Sequence, residues 1–326
     1  MKKRVTIKDI ALASGYSVNC ISRALMDASD ISQKTKEIVR ELALEMGYIP
    51  NSAATTLRKG SSKTIGILYD SLLNPFYSIM TNYLWNDLGE SGYSFVTIIN
   101  DKPFLDEDIA RRALSGSVDG LISFLEPTEG GLKLCKEHGV PVVIVGRKSN
   151  FDVQCVILDD VGGGRVAADY LFNKGYRHPM YLGESTALAC SKERADGFVQ
   201  RFAELGVTAE THFNNDFRKL AYKEFFEDIL ARPTEQRPDC VFVFNDFFAL
   251  EVLTYMREAK INFAVVGFDD IQNEIAMNGR ISSVGYSKQS FATLVVEKLL
   301  NLIADGNAKK DITVLQNVYI VDGETA

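Results

Sequence analysis

The sequence predicts an α/β body behind a small all-α head, and three observations carry that expectation. At 326 residues the chain exceeds one small domain and suggests two or three compact units. Its charge is split: residues 1–63 hold 11 Lys and Arg against 6 Asp and Glu, a net of +5, whereas residues 64–326 hold 25 against 37, a net of −12. Beyond Ser61, apolar strand-like runs alternate with amphipathic helical stretches, the pattern of parallel sheets covered by helices.

The wider composition narrows the function classes. A chain with 46% hydrophobic and 24% charged residues belongs with ordinary soluble globular proteins. The start MKKRVTIKDIALA lacks a long apolar core and reaches Asp9 at once, and no uncharged apolar run approaches the roughly 20 residues of a membrane span. Neither a secretory leader nor a membrane anchor is expected, which makes the cytoplasm the default. Cys20, Cys135, Cys155, Cys190 and Cys240 are scattered, and with three isolated histidines they offer no metal-ligand spacing. No metal and no cofactor is expected.

In the head, Thr6 followed by Asp9 is a capping-box-like start for a helix running to about Ala13. Gly15 supplies a permissive turn, Ser17 can cap a second helix, and Ser32 starts a third that ends near Gly47. Ala11, Gly15 and Ile21 match the helix-turn-helix spacing: small where helices cross, glycine at the turn, aliphatic beneath. Ile21, Ala24 and Leu25 then face inward, while Val18, Asn19, Ser22 and Arg23 face out. Such a second helix enters the major groove of DNA, where Asn pairs with adenine and Arg with guanine. A structural three-helix bundle is the alternative that this spacing alone leaves open. The following segment NSAATTLRKG is too short and too rich in small residues for an independent helix, so it reads as a conditional helix or a linker.

In the body the strand candidates are KTIGILY, SFVTII, VDGLISF, VPVVIVG, QCVIL, HPMYLG, DCVFVFN and FAVVGF, with helices at 162–174, 192–205, 246–259 and 288–304 among them. That is too many units for one short doubly wound sheet. GGGRVA at 162–167 fits a dinucleotide-binding glycine pattern, with Glu184 about where a ribose-binding acid would stand. However, Asp159 and Asp160 precede the glycines and would oppose a pyrophosphate, and the strand before them is not the first of its domain. A glycine-rich helix start at a subdomain boundary is the preferred reading. His138, His178 and His212 form no catalytic constellation with a nucleophile, so no enzyme is expected. A transport binding protein would share this body but would need a secretory leader and no DNA-binding head.

The segments VTIKDIALASGYSV, ISRAL, GYIPNSAATTLRKGSSKTIGIL, NPFY, FNDFFAL and VVGFDDI resemble the lactose-repressor/galactose-repressor family of bacterial transcription regulators, from about Val5 to the C-terminus. The resemblance implies an all-α helix-turn-helix head at 1–49, a hinge helix or linker at 50–60, and an effector-binding and dimerisation body at 61–326. That body would consist of two doubly wound, periplasmic-binding-protein-like subdomains: about 61–159 plus 286–310, and about 160–285 plus 311–326. The implied partners are double-stranded operator DNA, a sugar-like small molecule and a second copy of the chain. No leucine-heptad tail follows Val321 to favour a tetramer. The alternative within the family is a global catabolite-type regulator controlled by a phosphorylated carrier protein.

Site residues follow from the same resemblance. DNA contacts are expected from Thr6, Ser17, Val18, Asn19, Ser22, Arg23, Ser32, Thr35, Asn51, Ala54 and Leu57, the last matching the family's lever leucine that wedges into the minor groove. Cys20 stands where Thr is frequent in the family. Effector contacts are expected from Arg194 in SKERADGF, Asn245 in VFNDFFAL and Asp269 in VVGFDDI, with Arg147 at the end of VVIVGR. A guanidinium, an amide and a carboxylate suit sugar hydroxyls. Phe76, Tyr77 and Phe217 would supply apolar walls. The competing readings are core packing for the aromatics and a structural ion pair between Arg194 and Asp269.

Overall fold

Local capping starts each helix of the head. The Asp9 carboxylate accepts from the Thr6 N–H and Oγ, both at 2.7 Å, and α1 runs Ile7–Ser14. Gly15 (φ +75°) turns the chain left-handed and donates its N–H to the Ala11 carbonyl. Ser17 accepts from the Cys20 N–H to open α2, Val18–Leu25, and Ser32 accepts from the Thr35 N–H to open α3, Gln33–Glu45. The three helices bury Ile10, Ile21, Ala24, Val39 and Ala43 in a core of their own. The computed structural model describes residues 5–49, 60–186, 188–214, 223–275, 279–306 and 310–326. The chain divides into two compact units between Ser62 and Lys63.

Among the described residues the body holds two six-stranded sheets. In chain order its first part runs β1 Thr64–Tyr69, α4 Pro75–Glu90, β2 Ser94–Ile99, β3 Phe104–Leu105, α5 Glu107–Ser115, β4 Gly120–Ser123, β5 Glu126–Pro127, α6 Glu129–Glu137, β6 Val142–Val145 and β7 Gln154–Leu158. It continues with α7 Asp160–Asn173, β8 Pro179–Gly183, α8 Ala189–Glu204, β9 Glu210–Phe213, α9 Lys223–Ala231, β10 Cys240–Val243, α10 Asp246–Ala259, β11 Ala264–Phe268 and β12 Ser282–Tyr286. The chain closes with α11 Lys288–Ala304, β13 Ile312–Leu315 and β14 Val318–Val321. The first sheet, β13-β7-β6-β4-β1-β2, is parallel throughout; in the second, β14-β12-β11-β10-β8-β9, only β14 runs antiparallel. Central strands such as VVIV and CVFV are buried along their whole length, as sheets covered on both faces require. Each fully buried Ile, Leu or Val there contributes roughly 1.5–3 kcal/mol.

The sheets define two lobes, and the chain crosses between them through very short links among the described residues. Asp159 joins β7 to α7, Ser287 joins β12 to α11, and Gln316–Asn317 joins β13 to β14. The Asp159 N–H donates to the Leu315 carbonyl at 3.1 Å, tying the first link to the end of β13, from which the third link departs. The lobe boundary expected at 311 is therefore corrected: Ile312–Leu315 pairs with Cys155–Leu158 in the first sheet, and only the strand from Val318 joins the second. The pairing sets this, because a strand belongs to the sheet whose edge it bonds and not to its neighbour in sequence.

The glycine run explains itself in packing. A Cβ on Gly164 would lie 2.2 Å from the Arg194 carbonyl oxygen, one on Gly197 2.1 Å from that of Val161, and one on Gly163 2.5 Å from the Phe268 ring. The glycines let α7 and α8 cross backbone to backbone and let α7 meet the second sheet.

Candidate functional site

The outward face of α2 is the head's candidate nucleic-acid surface. Val18, Asn19 and Arg23 are exposed on it. Ser22 is not: it is 7% exposed and points into the bundle, which corrects its expected outward position. With steps of about 100° per residue, a small side chain beside Ile21 falls on the buried edge of a two-turn helix. The Arg23 guanidinium binds Asp30 Oδ1 through Nη2 at 2.6 Å and Nε at 3.1 Å, so it is held by an acid of the head itself. Asp27 takes Lys36 at 3.1 Å and Arg40 at 2.7 Å. The hydroxyls of Ser17, Ser32 and Thr35 serve as or bond to helix caps, and Thr6 bonds Asp9. Cys20 is half-buried. Asn51, Ala54 and Leu57 lie outside the described residues, as does Phe217 of the body.

Between the lobes of the body, a cleft of about 290 Å³ collects Phe76, Tyr77, Arg147, Arg194, Asn245 and Asp269. Most of its wall is built at carboxyl ends of parallel strands, where the polypeptide turns into the next helix. Phe76 and Tyr77 open α4, capped by Asn74, and pack with Tyr69 and Phe124; the Tyr69–Tyr77 and Tyr69–Phe124 ring centroids are each 4.9 Å apart. From the other lobe, Phe244 and Phe248 meet at 6.1 Å. Aromatic walls thus face the cleft from both lobes.

Arg194 is 6% exposed and largely committed. Its Nε donates to Asp160 Oδ1 at 2.7 Å, its Nη1 to the Phe244 carbonyl at 2.6 Å, and its guanidinium lies 3.5 Å over the Phe268 ring. A buried ion pair exists, but with Asp160 and not Asp269. Burial pushes the Asp160 carboxyl up to about 6 against the pull of Arg194. Asp269 is raised likewise to about 6 by burial, opposed by Arg194 and Lys288, and it sits at φ +97° beside Asp270 at φ +48°. Two successive non-glycine residues in the left-handed half of backbone space cost about 1–3 kcal/mol each, and such strain collects at ligand clamps. Asn245 caps α10, its Oδ1 accepting from the Phe248 N–H at 3.0 Å. Arg147 is fixed by the Phe124 carbonyl, which accepts from its Nε at 3.0 Å.

Sequence reasoning missed Asp70, Phe124, Glu184 and Cys190, which also line the cleft. The signal for the first three was present, since each stands at or just past the end of β1, β4 or β8. Burial lifts the Glu184 carboxyl to about 7, countered by Arg147, and lifts the Cys190 thiol to about 11. Among the described residues no cluster of His, Cys, Asp and Glu is grouped to hold a metal ion, and no helix is long and apolar enough to cross a membrane.

Comparison with known proteins accounts for both units. Residues 6–51 match "Bacterial regulatory proteins, lacI family", residues 62–222 "Periplasmic binding proteins and sugar binding domain of LacI family", and residues 168–326 "Periplasmic binding protein-like domain". The HTH-type transcriptional regulator MalR of Clostridium butyricum is 27% identical over 325 residues, covering 94% of this chain and 96% of that protein. The HTH-type transcriptional repressor PurR of Photobacterium profundum is 23% identical, covering 94% of each. The fold is similar to that of the Lac repressor dimer bound to operator and the anti-inducer ONPF, at TM-score 0.82, 22% identity and 99% coverage of each chain. It is also similar to that of the transcriptional regulator CelR in its cellobiose complex, at TM-score 0.68, 22% identity and coverage of 99% and 100%. A helix-turn-helix head, a two-lobed periplasmic-binding-protein-like body and relatives matched along nearly their whole length place this chain in the lacI family of DNA-binding transcriptional regulators.

Proposed function

We propose that the protein is a cytoplasmic repressor of carbohydrate-utilisation genes that binds a pseudo-palindromic operator as a homodimer and is switched by a small sugar-like effector in the interlobe cleft. The observation that carries this reading is the cleft itself, where aromatic rings and hydrogen-bonding groups from both lobes meet. A ligand that touches both lobes binds their closed arrangement better than the open one, and that difference is what can move an equilibrium. The charge split supports it too: the basic head seeks phosphate while the acidic body is repelled by it. Among proteins of the same fold, one is described as a dimer on operator and another as a cellobiose complex. Selection of bound sequences from a random DNA pool, followed by sizing of the complex, tests the operator and the dimer; recovery of no two-fold-related half-sites would sink this reading.

Base reading is assigned to the exposed face of α2. Asn19→Ala or Arg23→Ala is expected to cost roughly 1–3 kcal/mol of discrimination at one operator position, leaving the fold intact. The selected-sequence assay checks this, and unchanged base preference in both variants would remove the assignment.

The hinge is assigned to Asn51, Ala54 and Leu57. An aliphatic wedge at Leu57 would unstack a central base step, at a cost of a few kcal/mol recovered through apolar contact with the base faces. Leu57→Ala is expected to retain dimerisation while losing affinity and bend angle. Circular-permutation gel shifts on one operator read the angle, and equal bending by both proteins would mean that Leu57 is no lever.

A further inference from the structure

The two arginines of the cleft are in opposite states. Arg194 is spent on Asp160, the Phe244 carbonyl and the Phe268 ring. Among the described residues Arg147 is held only by its Nε, and its buried Nη1 has no hydrogen-bond partner. Its side chain is 12% exposed. Among the described residues the carboxylate closest to it, Glu126 Oε2, stands 3.7 Å from Nη1, too far for a hydrogen bond, on a side chain that is 38% exposed. A buried charged donor without an acceptor is costly, and native structures hold few of them. Here the donor is already immobilised, at the carboxyl end of β6, in a cleft built to receive a ligand. A guanidinium with its outer edge unspent matches the two oxygens of a carboxylate or phosphate.

We propose, resting on the effector reading above, that Arg147 anchors an anionic oxygen group of the effector, so that the ligand is an acidic sugar carrying a carboxylate or a phosphate and not a neutral one. The neighbouring acids are compatible with this. Asp269 has Arg194 and Lys288 as counter-charges. Glu184, facing Arg147, Asp70 and Arg194, is already lifted to about 7 by burial. It accepts a proton near neutrality at little cost, and as a carboxylic acid it becomes a donor to the same anionic group. The effector is then taken up together with a proton.

Calorimetric titration of the full chain with glucose, galactose and mannose, their uronic acids and their 6-phosphates tests the inference, and the two acid series separate carboxylate from phosphate. The expected result is at least tenfold tighter binding of one acid than of its parent hexose. That preference falls at least tenfold in R147Q and is partly kept in R147K, which retains the charge without the fork; circular dichroism shows that both variants are folded. With a uronate, wild-type affinity should be level below about pH 7 and then fall by up to tenfold per unit as the proton becomes harder to supply, a slope absent from E184Q. A neutral hexose bound as tightly as its acids, or an acid preference unchanged in R147Q, would overturn the anionic assignment while leaving a sugar-like effector in place, and a flat pH profile would remove the part given to Glu184. No binding by any of these compounds would overturn both.

Discussion

Arg194→Ala is expected to lower the stability of the body by about 3–5 kcal/mol, the cost of stranding one member of a buried ion pair. Asp160 is 3% exposed, and its carboxyl is already raised by burial even with Arg194 in place. Without the guanidinium it loses its 2.7 Å partner, the Phe244 carbonyl loses a donor, and the Phe268 ring loses the cation over its face. The family position of Arg194 alone would predict a variant deaf to effector but otherwise sound. The geometry predicts a damaged body as well, because the same side chain that lines the cleft also fastens α7 to α8. Urea denaturation followed by intrinsic fluorescence measures the loss, and a change below 1 kcal/mol would show the pair to be dispensable. Replacing both partners by apolar residues of similar size should recover much of the stability, since no buried charge is then left alone.

Gly164→Ala and Gly197→Ala should be nearly as damaging, at or above the upper end of the 1–3 kcal/mol usual for overpacking. In each case the added methyl meets backbone, at 2.2 Å and 2.1 Å from a carbonyl oxygen of the facing helix, and backbone cannot rotate aside. The helices must separate, which also stretches the Arg194–Asp160 pair that spans the same crossing. Gly162→Ala is the control: the three atoms nearest its methyl all belong to the Asp159 side chain, the closest at 2.2 Å, so the main cost is a disturbed helix cap. Thermal denaturation of the three variants orders them, and a Gly162 variant as unstable as the other two would refute the close-crossing explanation.

What the sequence made legible was mostly local. Ala11, Gly15 and Ile21 mark the head because a helix, a tight turn and a second helix are specified within one short segment. The alternation of strands and helices is equally readable, since period and length are local properties. Long-range pairings were not. Nothing near Arg194 points to Asp160, 34 positions earlier, until α7 and α8 are seen to cross. The sheet membership of Ile312–Leu315 likewise depends on an edge supplied by Gln154–Leu158. Ser22 was misplaced because a helix of eight residues leaves its boundary positions ambiguous. Asp70, Phe124 and Glu184 were findable by asking which residues follow parallel strands, a question about position that residue chemistry alone does not raise.

The links at Asp159, Ser287 and Gln316–Asn317 act as pins more than as springs. A residue spans at most about 3.3–3.6 Å, so one- and two-residue tethers leave the lobes almost no freedom to part, whereas rotation about a few backbone bonds at the pins is cheap. Whatever occupies the cleft can therefore alter an angle and very little else. The first lobe begins at Lys63, so a change in that angle turns the direction in which Lys63 leaves the body as seen from the second lobe.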